Sequence, residues 1–208
     1  MTHGLGFSHD DRLMSVTLEI TDGVALILVE HSSAGPTGAD LAAVRSALDA
    51  ASDAVAVVLH GGDRAFFSGV DLRQLARTAP AEVRAYAEGL RLLCAQVARM
   101  SVGGGDNRRA VPVVAAIGGD AVGDGCALAM ACDARVITVG GGLGRVTSAQ
   151  ADRAVLIGRR VPAAEALRAG LVDAVVPLCA LLASARELAV SQAAHKPRKR
   201  AQEYAKVR

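Results

Sequence analysis

Tryptophan is absent from this 208-residue chain, and only three Phe and two Tyr are present, although 51% of its residues are hydrophobic. Large rings therefore cannot fill the interior, and Ala, Val and Leu must pack it by close approach of backbones. A strong charge of either sign is missing too. The formal net charge of +2 gives the body no electrostatic case for nucleic acid. The one basic run, His195 to Arg200, reads as a solvated helix face or tail. The four cysteines form no CxxC pair and no zinc spacing with the five histidines, so no metal is expected. Cys126 and Cys132 lie in an apolar segment and read as core thiols. No uninterrupted apolar run is long enough to span a bilayer, and the first residues lack a basic-then-apolar leader. These absences predict a soluble, cytoplasmic protein with no membrane partner. The length favours one domain with a substantial core.

What is present alternates between strand and helix signals. Ser15 to Ile20 and Val24 to Glu30 flank Thr21-Asp22-Gly23 and predict a hairpin. Leu41 to Ala51 has helical spacing, and Ala54 to Leu59 reads as a buried strand. A long amphipathic helix starts at Pro80 and Ala81 and runs to about Met100, with Val83, Tyr86, Leu90, Leu93 and Val97 at helical spacing. Strands are predicted at 113–117, 135–139 and 171–176, and helices at 150–158, 163–169 and from about Leu178 onward. The glycine tracts at 103–105 and 140–142 read as turns or linkers. Neither is followed by the GK[ST] of a phosphate-binding loop. The order predicts an α/β fold with mostly parallel pairing.

The most informative stretch is Pro112 to Asp133. A buried strand runs into Gly118-Gly119, then Gly123-Asp124-Gly125, where a helix of small apolar residues opens. The glycines remove β-carbons where backbone N–H groups can approach a ligand, and a helix N-terminus favours developing negative charge. The pattern lacks the third glycine of a dinucleotide fingerprint, which counts against an oxidoreductase.

A second element sharpens the reading: Arg64-Ala65-Phe66-Phe67-Ser68-Gly69-Val70-Asp71-Leu72, after the strand AVAVVL. With Pro112 to Val136 and the later Gly158 to Pro177, these motifs occur in the order seen in the enoyl-CoA hydratase/isomerase (crotonase) superfamily. The chain resembles a shortened and divergent member, over most of residues 15–180. The resemblance implies a spiral of ββα units, residues 1–182, followed by a truncated C-terminal helical segment with a basic tail, 183–208. It implies a homotrimer or hexamer that binds an acyl-CoA or related pantetheine thioester. Coenzyme A enters as part of the substrate, and no separate cofactor is needed. The family's two oxyanion donors fall on the backbone N–H groups of Val70 and Asp124, and its substrate-binding segments on Arg64, Phe66, Ser68, Val70, Asp71, Leu72, Gly123 and Asp124. Fixed donors of this kind are worth roughly 2.7–4 kcal/mol each.

The sequence departs from the family in its acids. The glutamate that hydratases carry three residues after the second donor is Ala127, and the segment bearing the second glutamate is missing after Val139. Standard two-glutamate hydration is therefore not expected. An acyl-CoA lyase, isomerase or hydrolase, of the kind found in fatty acid metabolism, remains the enzymatic expectation. Decarboxylation and thioester hydrolysis need the least acid/base help. The competing expectation is a degenerate homologue acting as an assembly or regulatory subunit.

Asp124 stands where the family has glycine. It reads either as a helix N-cap or as an acid/base in the pocket. An ionised carboxylate aimed at the oxyanion would oppose it by ~4 kcal/mol at 4 Å with an effective dielectric of 20. His60, at the end of a strand, is a further catalytic candidate. Asp71 and Asp133 read as structural, Arg64 as a CoA-phosphate contact or a surface arginine, and Glu165 as structural.

Overall fold

The computed structural model describes residues 15–30, 36–67, 79–102, 110–144 and 160–195. Ser15–Thr21 (β1) and Val24–Glu30 (β2) form the expected antiparallel hairpin, in register from Ser15 opposite Glu30 to Thr21 opposite Val24. Its two-residue turn, Asp22-Gly23, has φ of +52° and +78°. Such a turn matches the right-handed twist of its strands, and Asp-Gly is among the few pairs that tolerate it.

From β2 the sheet continues in parallel through Ala56–His60 (β3), Val113–Ile117 (β4), Ala134–Thr138 (β6) and Ala174–Val176 (β9). A smaller second sheet joins Asp120–Val122 (β5), Gly142–Gly144 (β7) and Arg160–Pro162 (β8). The helices are Gly38–Ala50 (α1), Pro80–Met100 (α2), Asp124–Ala131 (α3), Ala163–Arg168 (α4) and Leu181–Ala194 (α5), the last preceded by a 3₁₀ turn at Leu178–Ala180.

Strand alternation divides the core between two faces. Val57, Leu59, Val113, Ala115, Ile117 and Ile137 face α1, α2 and α3, where Leu41, Val44, Leu93, Val97 and Leu128 cover them. Ala56, Val58, Val114, Ala116, Ala134 and Val136 face the other way and meet Leu181, Ala185 and Ala189 of α5. A parallel sheet needs such cover on both sides, which is why Ala56–Leu59 of β3 and the whole of β4 are unbroken apolar runs.

Three expectations are corrected. Of the tract 140–142, the turn reading holds at Gly140, where the Gly141 N–H donates back to the Thr138 carbonyl at 2.9 Å, but Gly142 opens β7, and a β-carbon on Gly141 would strike the carbonyl oxygen of Gly119. The chain from Leu171 to Asp173 turns before β9, held by the Asp173 carboxylate, which accepts from the Arg135 N–H at 2.9 Å. Helix α1 starts three residues before Leu41, because Thr37 caps it. The helix expected at 150–158 and the tract at 103–109 lie outside the described residues. Among the described residues no helix is long and apolar enough to cross a membrane.

Candidate active site

After β3 the chain turns at Gly61 and passes over the end of β4. The Phe66 N–H donates to the Asp120 carbonyl at 2.9 Å, and Ala65 bridges Asp120 in parallel. This crossing accounts for the glycines. A β-carbon on Gly118 would run into the Gly62 carbonyl and one on Gly119 into the Arg64 carbonyl. One on Gly125 would strike the carbonyl oxygens of Phe66 and Phe67. Three of the four glycines therefore admit another stretch of protein backbone, not a ligand. The fourth, Gly123, adopts φ +59° and ψ −115°. It is the N-cap of α3, so the N-cap reading of Asp124 is corrected.

Asp124 is the first residue of α3, and among the described residues its backbone N–H has no hydrogen-bond partner. Its half-buried side chain makes no capping bond. Instead Oδ2 accepts from the Tyr86 hydroxyl of α2 at 3.0 Å. Burial, then the Asp124 charge and this hydrogen bond, push the Tyr86 phenol above its ordinary range, and Asp40 of α1 adds to the effect. Burial and the same carboxylate raise the Cys94 thiol to about 11. Ala127, the position of the family glutamate, is half-buried one turn further along α3.

Phe67 lies against this helix start in a left-handed conformation, φ +47°, that non-glycine residues rarely hold. Full burial of the ring keeps it there, with the two Phe centroids 5.6 Å apart. Ser68, Val70, Asp71 and Leu72, which follow, lie outside the described residues. Arg64 is exposed on the bend before Ala65.

The other candidates fall elsewhere. His60 continues the Ala56–Val58 side of β3, towards α5 and away from Phe66 and Asp124. It is buried, with Nδ1 3.0 Å from the Ala116 carbonyl and Nε2 3.6 Å from the Asp63 carboxylate. Asp133 is structural: its carboxylate accepts from the Val113 N–H at 2.7 Å and the Ser101 hydroxyl at 2.6 Å, and burial raises its pKa. Glu165 lies in the first turn of α4. Among the described residues no group of three or more His, Cys, Asp or Glu side chains is placed to hold a metal ion. Tyr86 is the residue that sequence reasoning missed as part of the site. Its helical spacing with Leu90, Leu93 and Val97 marks it as core, and its partner lies 38 positions away.

This crossing of two glycine-dependent segments within a two-faced parallel sheet is the crotonase-like α/β architecture. A family model for enoyl-CoA hydratase/isomerase matches residues 37–139 and 143–207, and the chain belongs to that family. It is 32% identical over 164 residues to a probable enoyl-CoA hydratase (echA8) of Mycobacterium tuberculosis, covering 69% of this chain and 60% of the relative. With a short-chain-enoyl-CoA hydratase of Clostridium acetobutylicum it shares 28% over 204 residues, covering 86% of this chain and 75% of that protein. The chain spans about three fifths of the length of the first curated relatives it matches. Among solved structures, Bacillus anthracis enoyl-CoA hydratase superposes with a TM-score of 0.69 at 26% identity, over 88% of this chain and 78% of that one. Pseudomonas aeruginosa DspI gives 0.72 at 26%, over 93% and 79%.

Proposed function

We propose that the chain binds an acyl-CoA or related pantetheine thioester where the loop after β3 docks on the start of α3. The backbone N–H groups of Val70 and Asp124 grip the thioester carbonyl and stabilise the enolate or other oxyanion formed there. One observation carries this reading: the Phe66 and Phe67 carbonyls lie against Gly125. Phe66 and Phe67 thus dock against the first turn of α3, which Asp124 opens. Val70 is three residues on from Phe67 in the sequence, a reach of at most ~11 Å. Donors held by backbone do not depend on side chains, so they survive the loss of the family acid at Ala127. For the same reason the chemistry is enolate formation and not two-glutamate hydration. Coenzyme A is part of the substrate, and the working form is a trimer or hexamer in the cytoplasm.

A second reading, a non-catalytic assembly or regulatory subunit, draws on a different fact. Gly118, Gly119 and Gly125 are already required by backbone packing, so their presence alone does not call for a ligand. Isothermal titration with acetyl-CoA and crotonyl-CoA separates the two. The first reading expects saturable binding to both thioesters. Absence of binding at millimolar ligand would overturn it and leave the second.

A further inference from the structure

The geometry points to Asp124 as the base that removes a proton from the α-carbon of the bound thioester, with Tyr86 positioning its carboxylate. The inference rests on the acyl-CoA reading above and names the chemistry of that site.

Position on α3 is the first ground. Asp124 and Ala127 are three residues apart on one helix and so share a face. Where the sequence lacks the family acid, the same face carries a carboxylate one turn nearer the oxyanion donor. The second ground is its hydrogen bonding. Tyr86 donates to Oδ2 and fixes the side chain, while among the described residues Oδ1 has no partner. A half-buried carboxylate with one oxygen anchored and the other open is arranged to accept a proton.

The third ground is charge. An ionised Asp124 that took no part in the reaction would face a growing negative charge at its own backbone N–H and oppose it. If Asp124 is the base, that conflict disappears. The Cα–H bond breaks, the proton moves to a carboxylate oxygen, and the electron pair becomes the enolate with its charge on the thioester oxygen. One charge is exchanged for another, and the two never coexist. Decarboxylation leaves the carboxylate ionised beside the enolate, so this site favours proton abstraction.

Tyr86 serves as a permanent donor, since burial and Asp124 keep the phenol protonated through the working pH range. Asp40 from α1 and Cys94 from α2 are the other titratable groups that act on this pair.

The test uses the full chain with 3-butenoyl-CoA in D₂O, reading deuterium at Cα by mass spectrometry and binding by calorimetry. Wild type is expected to exchange. Asp124→Asn, which keeps an acceptor for Tyr86, should bind within a few-fold but exchange at least about 100-fold more slowly. Tyr86→Phe should slow exchange about 10-fold while binding stays within a few-fold, because the carboxylate loses the donor that fixes its orientation. Binding without exchange in wild type, or wild-type exchange by Asp124→Asn, overturns the base. Wild-type exchange by Tyr86→Phe, or slowing that is matched by an equal loss of binding, overturns its positioning role. If no thioester binds, the acyl-CoA reading itself falls and this inference with it.

Discussion

Gly125 is the residue at which fold and site meet. It sits in the first turn of α3, where replacing glycine by alanine ordinarily adds helix stability of about 0.8–1 kcal/mol. Here the added β-carbon would enter the carbonyls of Phe66 and Phe67, and backbone on both sides leaves nothing flexible to yield. Gly125→Ala is therefore expected to destabilise by about 1–3 kcal/mol or more. Gly38 supplies the contrast, since its β-carbon would meet nothing within 4 Å in α1. Gly38→Ala is expected to gain about 0.4–1 kcal/mol. Urea titration of the two variants checks both signs. Equal stability of Gly125→Ala and wild type would mean that the 66–67 loop does not dock as described.

At the scale of elements, strong periodicity was legible and short pairings were not. β4 is where its apolar run predicts it and α2 spans Pro80–Met100, because five apolar residues or a long amphipathic stripe leave few alternatives. β5, β7 and β8 have three residues each, too few to display a period. β7 is Gly-Leu-Gly, against strand propensity, and only tertiary context makes it a strand: it pairs with β5 on one side and β8 on the other. Arg160 ties this sheet together with paired bonds to Asp120 at 2.7–3.0 Å and one to the Gly140 carbonyl at 2.7 Å. The site divided the same way. The glycine turn was legible as a motif, whereas Tyr86 was hidden in a regular helix stripe. The start of α1 did carry a readable signal in Thr37 and Asp40. They form a capping box in which the Thr37 hydroxyl accepts from the Asp40 N–H at 3.3 Å and the Asp40 carboxylate accepts from the Thr37 N–H at 2.6 Å. Thr37→Ala should cost ~1 kcal/mol, read as a lower midpoint in thermal or urea unfolding. No change would show that packing of Leu41 and Val44 alone holds the helix start.

The molecule as a whole separates its site from its second core. Asp124, Tyr86 and the Phe66–Phe67 segment lie on the side of the sheet covered by α1, α2 and α3, whereas α5 closes the opposite side. With so few aromatic residues, that closure depends on small side chains. Leu181, Ala185 and Ala189 recur every four residues along α5 and are at most 1% exposed against Val58, Val114, Ala116 and Val136. Enlarging one must push the helix off the strands, because packed interiors leave no spare volume. Ala189→Leu is accordingly expected to destabilise by about 1–3 kcal/mol. Ala183→Leu, on the exposed face of the same helix, should stay within about 0.5 kcal/mol of wild type. Below its melting transition, Ala189→Leu should still bind acetyl-CoA as wild type does, since the strain falls across the sheet from the proposed oxyanion donors. Measuring unfolding and calorimetric binding on the same sample decides the matter. Lost binding in a folded Ala189→Leu would mean that α5 and the site are coupled through β4, contrary to the two-faced arrangement.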